Sequence, residues 1–327
     1  MLLRVIEAQG MAGLAHIEEF LVIGRNQRET MLDDAVATEG RHLSQLGYAG
    51  KVEVGYEGRL FLDFRHPSTP MVSIILEAGD DMQRLAASLA SIQQRTRYPR
   101  YEVLVITRGE QGQEASLGGR ARMLSCSSSV LGERLSQAVG QARGEYLVFI
   151  SDRCQVSSPG WIESLLNQAQ RPEVGLVGCQ MHDELGCVSH AGYELLDGQQ
   201  VHASWLGLPV EARVQALGLD VVRGCQAVSG DGLMVRKQVL ESLGGLGLDD
   251  AWAIKLCLQV SQAGLLVLMA PQAQLVNPGV PVLSEQVCAS LVEQAPWAFS
   301  RGLAIDGAVG LIQPVDSRGP QWLRALD

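Results

Sequence analysis

The stretch Gly144-Glu145-Tyr146-Leu147-Val148-Phe149-Ile150-Ser151-Asp152-Arg153 decides how the rest of the chain is read. A Gly-Glu turn opens into five consecutive apolar residues, and the run ends in a hydroxyl, a carboxylate and a guanidinium. A short, unbroken apolar run bounded by polar residues predicts a strand buried on both faces, as in a parallel sheet covered by helices.

The flanking sequence repeats the pattern. Met71 to Leu76 and Tyr101 to Ile106 are apolar strands, and Asp81 to Arg95 carries Met82, Leu85, Leu89 and Ile92 at helical spacing. Further helices are predicted over about Val130 to Ala142 and from Pro159-Gly160-Trp161 to about Ala169. Pro159 suits a helix start, where its missing N–H would have had no partner. This alternation specifies an α/β domain. Ligands of such sheets bind beyond the carboxyl ends of the strands. The loops Glu77 to Asp81, Thr107 to Glu110 and Ser151 to Gln155 leave that edge, so a pocket is expected among them.

Upstream, residues 1 to 68 alternate short β-like runs (Phe20-Leu21-Val22-Ile23, Lys51-Val52-Glu53-Val54, Arg59-Leu60-Phe61-Leu62) with polar segments, and read as a small β-rich domain. His66-Pro67-Ser68-Thr69-Pro70 is a Pro-bounded linker. The α/β domain then covers 69 to 280. Residues 281 to 327 hold one helix-like segment, Ser284 to Glu293, and a Gly-rich tail ending in Gln321-Trp322-Leu323.

A net charge of −10 and a pI near 5.2 argue against a nucleic-acid partner, because phosphate backbones demand clustered Lys and Arg. Apolar runs such as Leu265 to Ala270 fall short of the roughly 20 residues that span a bilayer. Glu7 interrupts the N-terminus before any extended apolar region develops, so no secretory signal is expected and the cytoplasm is the default compartment. The seven cysteines (Cys126, Cys154, Cys179, Cys187, Cys225, Cys257 and Cys288) are scattered without a CxxC pair, which favours reduced thiols over a disulfide or zinc framework. Cys154 reads as a small buried hydrophobe rather than a reactive thiol.

Ordered landmarks carry a resemblance. Val72-Ser73-Ile74-Ile75, Tyr101-Glu102-Val103, Ala142-Arg143-Gly144-Glu145-Tyr146, Arg171-Pro172-Glu173-Val174-Gly175, Ser189-His190-Ala191-Gly192, Gly230 through Arg236 and Leu243-Gly244-Gly245 follow one another as in a family 2 glycosyltransferase. Residues from about 70 to 280 therefore resemble a GT-A, Rossmann-like fold of the rhamnosyltransferase-like type, a mainly parallel sheet flanked by helices. The resemblance implies a nucleotide-sugar pocket at Glu77, Thr107, Arg108, Ser136, Ser151, Asp152 and Arg153, with His190 and Asp231 on the acceptor side.

The chain departs from the family at these same places. The family's Pro-Thr-Tyr-Asn after the first strand is Glu77-Ala78-Gly79-Asp80 here, its nucleobase-binding Asp is replaced by Thr107-Arg108, and its nucleotide-facing Asn by Ser136. The outer positions of its Asp-x-Asp loop are Ser151 and Arg153. A divalent cation wants hard carboxylate oxygens, so a hydroxyl and a guanidinium make a poor Mg²⁺ or Mn²⁺ site, and neither a metal nor another cofactor is expected. Trp252-Ala253-Ile254-Lys255 stands where the family carries the carboxylate that serves as its catalytic base. Asp249 and Asp250 lie just upstream, either as a displaced base or as acids favoured near a helix N-terminus. Asn277-Pro278 replaces a His near the diphosphate. His190 reads as a structural histidine, and Asp231 as an acceptor ligand or a turn cap.

Three functions are compatible with this pattern. One is a pseudo-glycosyltransferase that binds or assembles components of a glycan-synthesis machine. Another is an active, metal-independent inverting transferase using Arg153 in place of the cation. The third is a GT-A scaffold redeployed for protein or anion binding. Expected partners are a nucleotide sugar and glycan-synthesis proteins, with a location in the cytoplasm or at the periphery of the inner membrane.

Overall fold

In the computed structural model, residues 32–55, 59–109, 114–196, 200–203, 205–209, 219–279, 285–295 and 298 are described. The strand expected at Phe20 to Ile23, Glu110 of the second pocket loop, Ser284 and the Gly-rich tail lie outside them. The described residues divide between Pro67 and Ser68 into two units.

In the first unit, helix α1 (Leu32–Gln45) precedes an antiparallel hairpin of β1 (Lys51–Val54) and β2 (Leu60–Asp63), with Val52 opposite Leu62. Asp33 and Asp34 in the first turn of α1 complement the helix dipole. Leu43 and Phe64 are buried, and Tyr48 meets the Phe64 ring edge-on at 5.0 Å. The hairpin matches two of the strands expected from sequence. Helix α1 is absent from that reading because Gly40 and a thin apolar stripe obscure its period.

The second unit begins with β3 (Val72–Glu77), α2 (Met82–Arg95), β4 (Tyr101–Arg108), β5 (Glu114–Ser116), β6 (Ala121–Cys126), α3 (Leu131–Gln141), β7 (Tyr146–Ser151) and β8 (Gln155–Val156). There follow α4 (Trp161–Ala169), β9 (Val174–His182), β10 (Val188–His190), β11 (Tyr193–Leu196), β12 (Gln200–Ala203), β13 (Arg223–Gly224) and β14 (Leu233–Arg236). The last elements are α5 (Lys237–Ser242), α6 (Trp252–Gln262), β15 (Leu266–Val276) and α7 (Glu285–Gln294). The central sheet runs β13-β15-β9-β14-β7-β3-β4-β6-β5. Strands β6, β4, β3 and β7 form the expected parallel run, so the three strands read first from sequence are neighbours. Late in the chain, β14 inserts antiparallel to both β7 and β9, and β9 pairs parallel with β15.

Side-chain alternation along the strands fills both faces. Ile75, Leu147 and Phe149 join Leu135, Trp252 and Cys257 on one side, while Ile74, Leu76, Val148 and Ile150 join Leu85, Ile92, Trp161 and Leu165 on the other. Asp81 caps α2 by accepting from the backbone N–H groups of Gln83 and Arg84, which fixes the chain just after the β3 loop.

A buried polar knot clasps the turn that feeds β7. Glu102 Oε1 accepts from Ser73 Oγ at 2.7 Å and from the Arg143 N–H at 2.8 Å, and the Gly144 N–H donates to Ser73 Oγ at 2.8 Å. A Cβ on Gly144 would sit 2.4 Å from Ser73 N and 2.8 Å from its Oγ. Gly144→Ala is therefore expected to lower stability by about 3 kcal/mol through overpacking, read as a drop in the denaturant midpoint. An unchanged midpoint would show that the knot yields freely.

Candidate functional site

The parallel register sets Glu77, the last residue of β3, beside Ser151, the last of β7. From this edge opens a cleft of about 600 Å³, lined by Glu77, Gly79, Ser151, Asp152, Arg153, Asp231 and Asp250, with Leu131, Leu135, Tyr193 and Trp252 among its apolar walls. Its position beyond the carboxyl ends of parallel strands is that expected of an α/β ligand site.

Asp152 is buried and points across to the β3 loop. Its Oδ2 accepts from the Gly79 N–H at 2.7 Å, and its own N–H donates to Glu77 O at 2.9 Å. Glycine at 79 matters here, since an added Cβ would come within 3.0 Å of that carboxylate oxygen.

Asp231 is the hub of the site. Its Oδ1 accepts from the Ser151 N–H at 2.7 Å; its Oδ2 accepts from Asn277 Nδ2 at 2.9 Å and from Arg153 Nη2 at 3.4 Å. Asn277 is fully buried and also donates to Cys154 Sγ at 3.0 Å. Burial foremost, aided by the Asp231 charge, pushes the Cys154 thiol well above its ordinary range, so it is held protonated.

Glu77 pairs with Arg134, whose Nη2 lies 3.1 Å from Oε1 and whose Nη1 is held by Ser129 O at 3.0 Å. Burial raises the Glu77 carboxyl, Arg134 opposes this, and Asp231 and Asp152 reinforce it. Arg134 is not among the residues singled out from sequence. A charge on α3 immediately before the buried Leu135 is the signal that marks it.

The other sequence-derived candidates lie elsewhere. Thr107 faces Ser125 Oγ at 3.4 Å, Arg108 is exposed at the end of β4, and Ser136 is exposed on α3; none lines the cleft. His190 is buried behind the wall, where its Nε2 accepts from the Ser229 N–H at 2.9 Å and its ring packs 4.7 Å from that of Tyr193. Desolvation, with help from Arg223, pushes its pKa down to about 3, so it serves the fold as a neutral imidazole. Asp249 accepts from the Ala251 N–H at 3.1 Å and pairs with Lys255, holding the start of α6. Asp250 faces the cleft and has no protein hydrogen-bond partner among the described residues.

A divalent metal does not fit these residues. Gly79 already engages one oxygen of Asp152, and both oxygens of Asp231 are taken by three donors, one of them the Arg153 guanidinium. Among the described residues no group of three or more His, Cys, Asp or Glu side chains is arranged to hold one.

No protein-family model matches the chain. It is 31% identical over 301 residues to the O-antigen biosynthesis protein RfbC of Myxococcus xanthus, an alignment covering 85% of this chain and 23% of the relative. It is also 31% identical over 221 residues to the uncharacterized protein y4gI of Sinorhizobium fredii, covering 63% of this chain and 24% of that one. The chain thus spans about a quarter of the length of the curated relatives it matches. Among solved structures it is similar to GalNAc-T7, determined with UDP, GalNAc and Mn²⁺, at a TM-score of 0.54 and 13% identity, over 84% of this chain and 57% of that one. It also aligns with the mannosyltransferase PcManGT of Pyrobaculum calidifontis, determined with GDP-Man and Mn²⁺, at a TM-score of 0.48 and 14% identity over 90% and 73% of the two chains.

Proposed function

We propose that this chain, which has the GT-A glycosyltransferase fold, is a family 2-like domain of polysaccharide biosynthesis that binds a nucleotide sugar and transfers its sugar poorly. The observation that carries this reading is the engagement of three of the cleft's carboxylates by the protein itself. Asp152 is committed to Gly79, Asp231 to Ser151, Asn277 and Arg153, and Glu77 to Arg134. The 31% identity to an O-antigen biosynthesis protein supports the pathway class. The domain then acts as a binding or assembly module among glycan-synthesis proteins. We place it in the cytoplasm or at the periphery of the inner membrane, in keeping with the absence, among the described residues, of any helix long and apolar enough to cross a membrane.

A second reading, an active inverting transferase, is favoured by one observation. Asp250 faces the cleft free of protein partners, whereas Asp249 is committed to α6. An acceptor alcohol needs a positioned base, and losing one costs about 10²- to 10⁴-fold in rate.

One assay separates the two. Titration with UDP-, GDP- and dTDP-sugars is expected to show binding, with negligible sugar transfer to glycan acceptors. Turnover that falls on Asp250→Asn would establish the active transferase. No binding of any nucleoside diphosphate would favour redeployment of the scaffold for a protein partner.

A further inference from the structure

We infer that Arg153, oriented by Asp231 and Asn277, is a built-in cation for the diphosphate, so that the cleft binds its anionic ligand without a divalent metal. The inference rests on the reading of the cleft as a nucleoside-diphosphate site and adds the identity of the group that holds the phosphates.

Two positions at which the chain departs from the family converge on a single carboxylate. Arg153 replaces the last residue of the Asp-x-Asp loop and Asn277 replaces a histidine 124 residues later, and both donate to Asp231 Oδ2, at 3.4 and 2.9 Å. The division of labour between them follows from burial. Asn277 is fully enclosed, and its carbonyl oxygen accepts from the Gly279 N–H at 3.0 Å, which fixes the orientation of its amide. That amide, with the Ser151 N–H on the opposite oxygen, leaves the Asp231 carboxylate one orientation.

Arg153 is the accessible end of this chain of contacts. Its side chain is one-third exposed, it lines the cleft, and Asp231 accepts from one terminal nitrogen. The rest of the guanidinium has no other hydrogen bond among the described residues. A planar fork of N–H groups matches two phosphate oxygens at once, which a hydrated ammonium does less well. Orientation by Asp231 also lowers the rotamer freedom lost when the ligand arrives.

A plain structural ion pair is the competing account. It predicts that Arg153 supports the loop and that anions bind indifferently to it. Asn277 distinguishes the two accounts, because a positioning residue matters to the ligand only while Arg153 is present.

Calorimetric titrations of the full chain with UDP, GDP and inorganic pyrophosphate, in EDTA and in excess Mn²⁺, provide the test. The wild-type dissociation constant is expected to change little between the two conditions. Arg153→Leu should weaken pyrophosphate binding about 10-fold or more, the scale of a lost charged hydrogen bond, and Arg153→Lys should recover part of it. Asn277→Leu should weaken binding in the wild-type background and have no further effect in Arg153→Leu, a non-additivity that general loss of structure does not produce. The EDTA comparison needs no variant and stands even where Asn277→Leu fails to fold. Binding that requires Mn²⁺ would overturn the inference and leave the nucleotide-sugar reading intact. Binding absent in both conditions would overturn both, and equal affinity of Arg153→Leu and wild type would overturn the built-in cation alone.

Discussion

Acidification from about pH 7 to about pH 4.5 is expected to remove roughly 3 kcal/mol of folding stability through His190 alone. His190 is fully buried, and its Nε2 accepts from the Ser229 N–H, so the proton of the neutral ring resides on Nδ1. In the folded protein its pKa is pushed down to about 3, against 6.5 for an exposed histidine. Between those values the unfolded chain binds a proton that the folded chain refuses. The contribution is therefore whole above pH 6.5 and drains away as the pH falls towards 3, at up to about 1.4 kcal/mol per pH unit. His190→Gln keeps an acceptor for Ser229 and cannot titrate. Denaturant unfolding of the two proteins across this range should give a steeper loss for wild type, and parallel curves would refute the assignment.

Trp161→Ala is expected to cost about 3–5 kcal/mol, the range for truncating a fully enclosed aromatic. Trp161 opens α4 with no exposed surface and donates its indole N–H to Thr96 Oγ1 at 3.0 Å, joining the start of α4 to the end of α2. Truncation removes the largest side chain on that face of the sheet and the hydrogen bond together. Trp161→Phe retains most of the apolar area and should recover more than half of the loss. Thermal melts or urea midpoints decide the matter, and a midpoint within error of wild type for Trp161→Ala would refute it.

What the sequence reveals of this molecule follows from how locally each feature is specified. The strands β3, β4 and β7 are legible because each is a continuous apolar run, and the helices α2, α3 and α4 because their apolar residues recur at helical spacing. Glu77, Ser151, Asp152 and Arg153 are legible as cleft residues because they sit at strand ends. The pairing of Asp231 with Asn277, 46 residues apart, and of Gly79 with Asp152, 73 apart, depends on how distant loops meet, which no local pattern records. Thr107 and Arg108 are expected at the cleft both as a strand-end loop and from the family resemblance, and Ser136 from the resemblance; none of the three lines it. Helix α1 and the antiparallel insertion of β14 escape for opposite reasons: one has a faint period, and the other is four residues whose partners come from elsewhere in the chain.

The place of β14 has a consequence for synthesis on the ribosome. Leu233 pairs with Phe149 on one side and Gly178 on the other, and this four-residue strand is what joins the β7 and β9 halves of the sheet. A nascent chain that has emerged as far as residue 230 holds the β7 half and β9, and lacks both the seam and β15. Strands β7 and β9 then each present open backbone donors and acceptors, the kind of edge that recruits chaperones or other copies of the chain. Joining β7 to β9 awaits the emergence of residues 233–236 and the burial of Leu233, Met234 and Val235, and the far side of β9 awaits β15 after them.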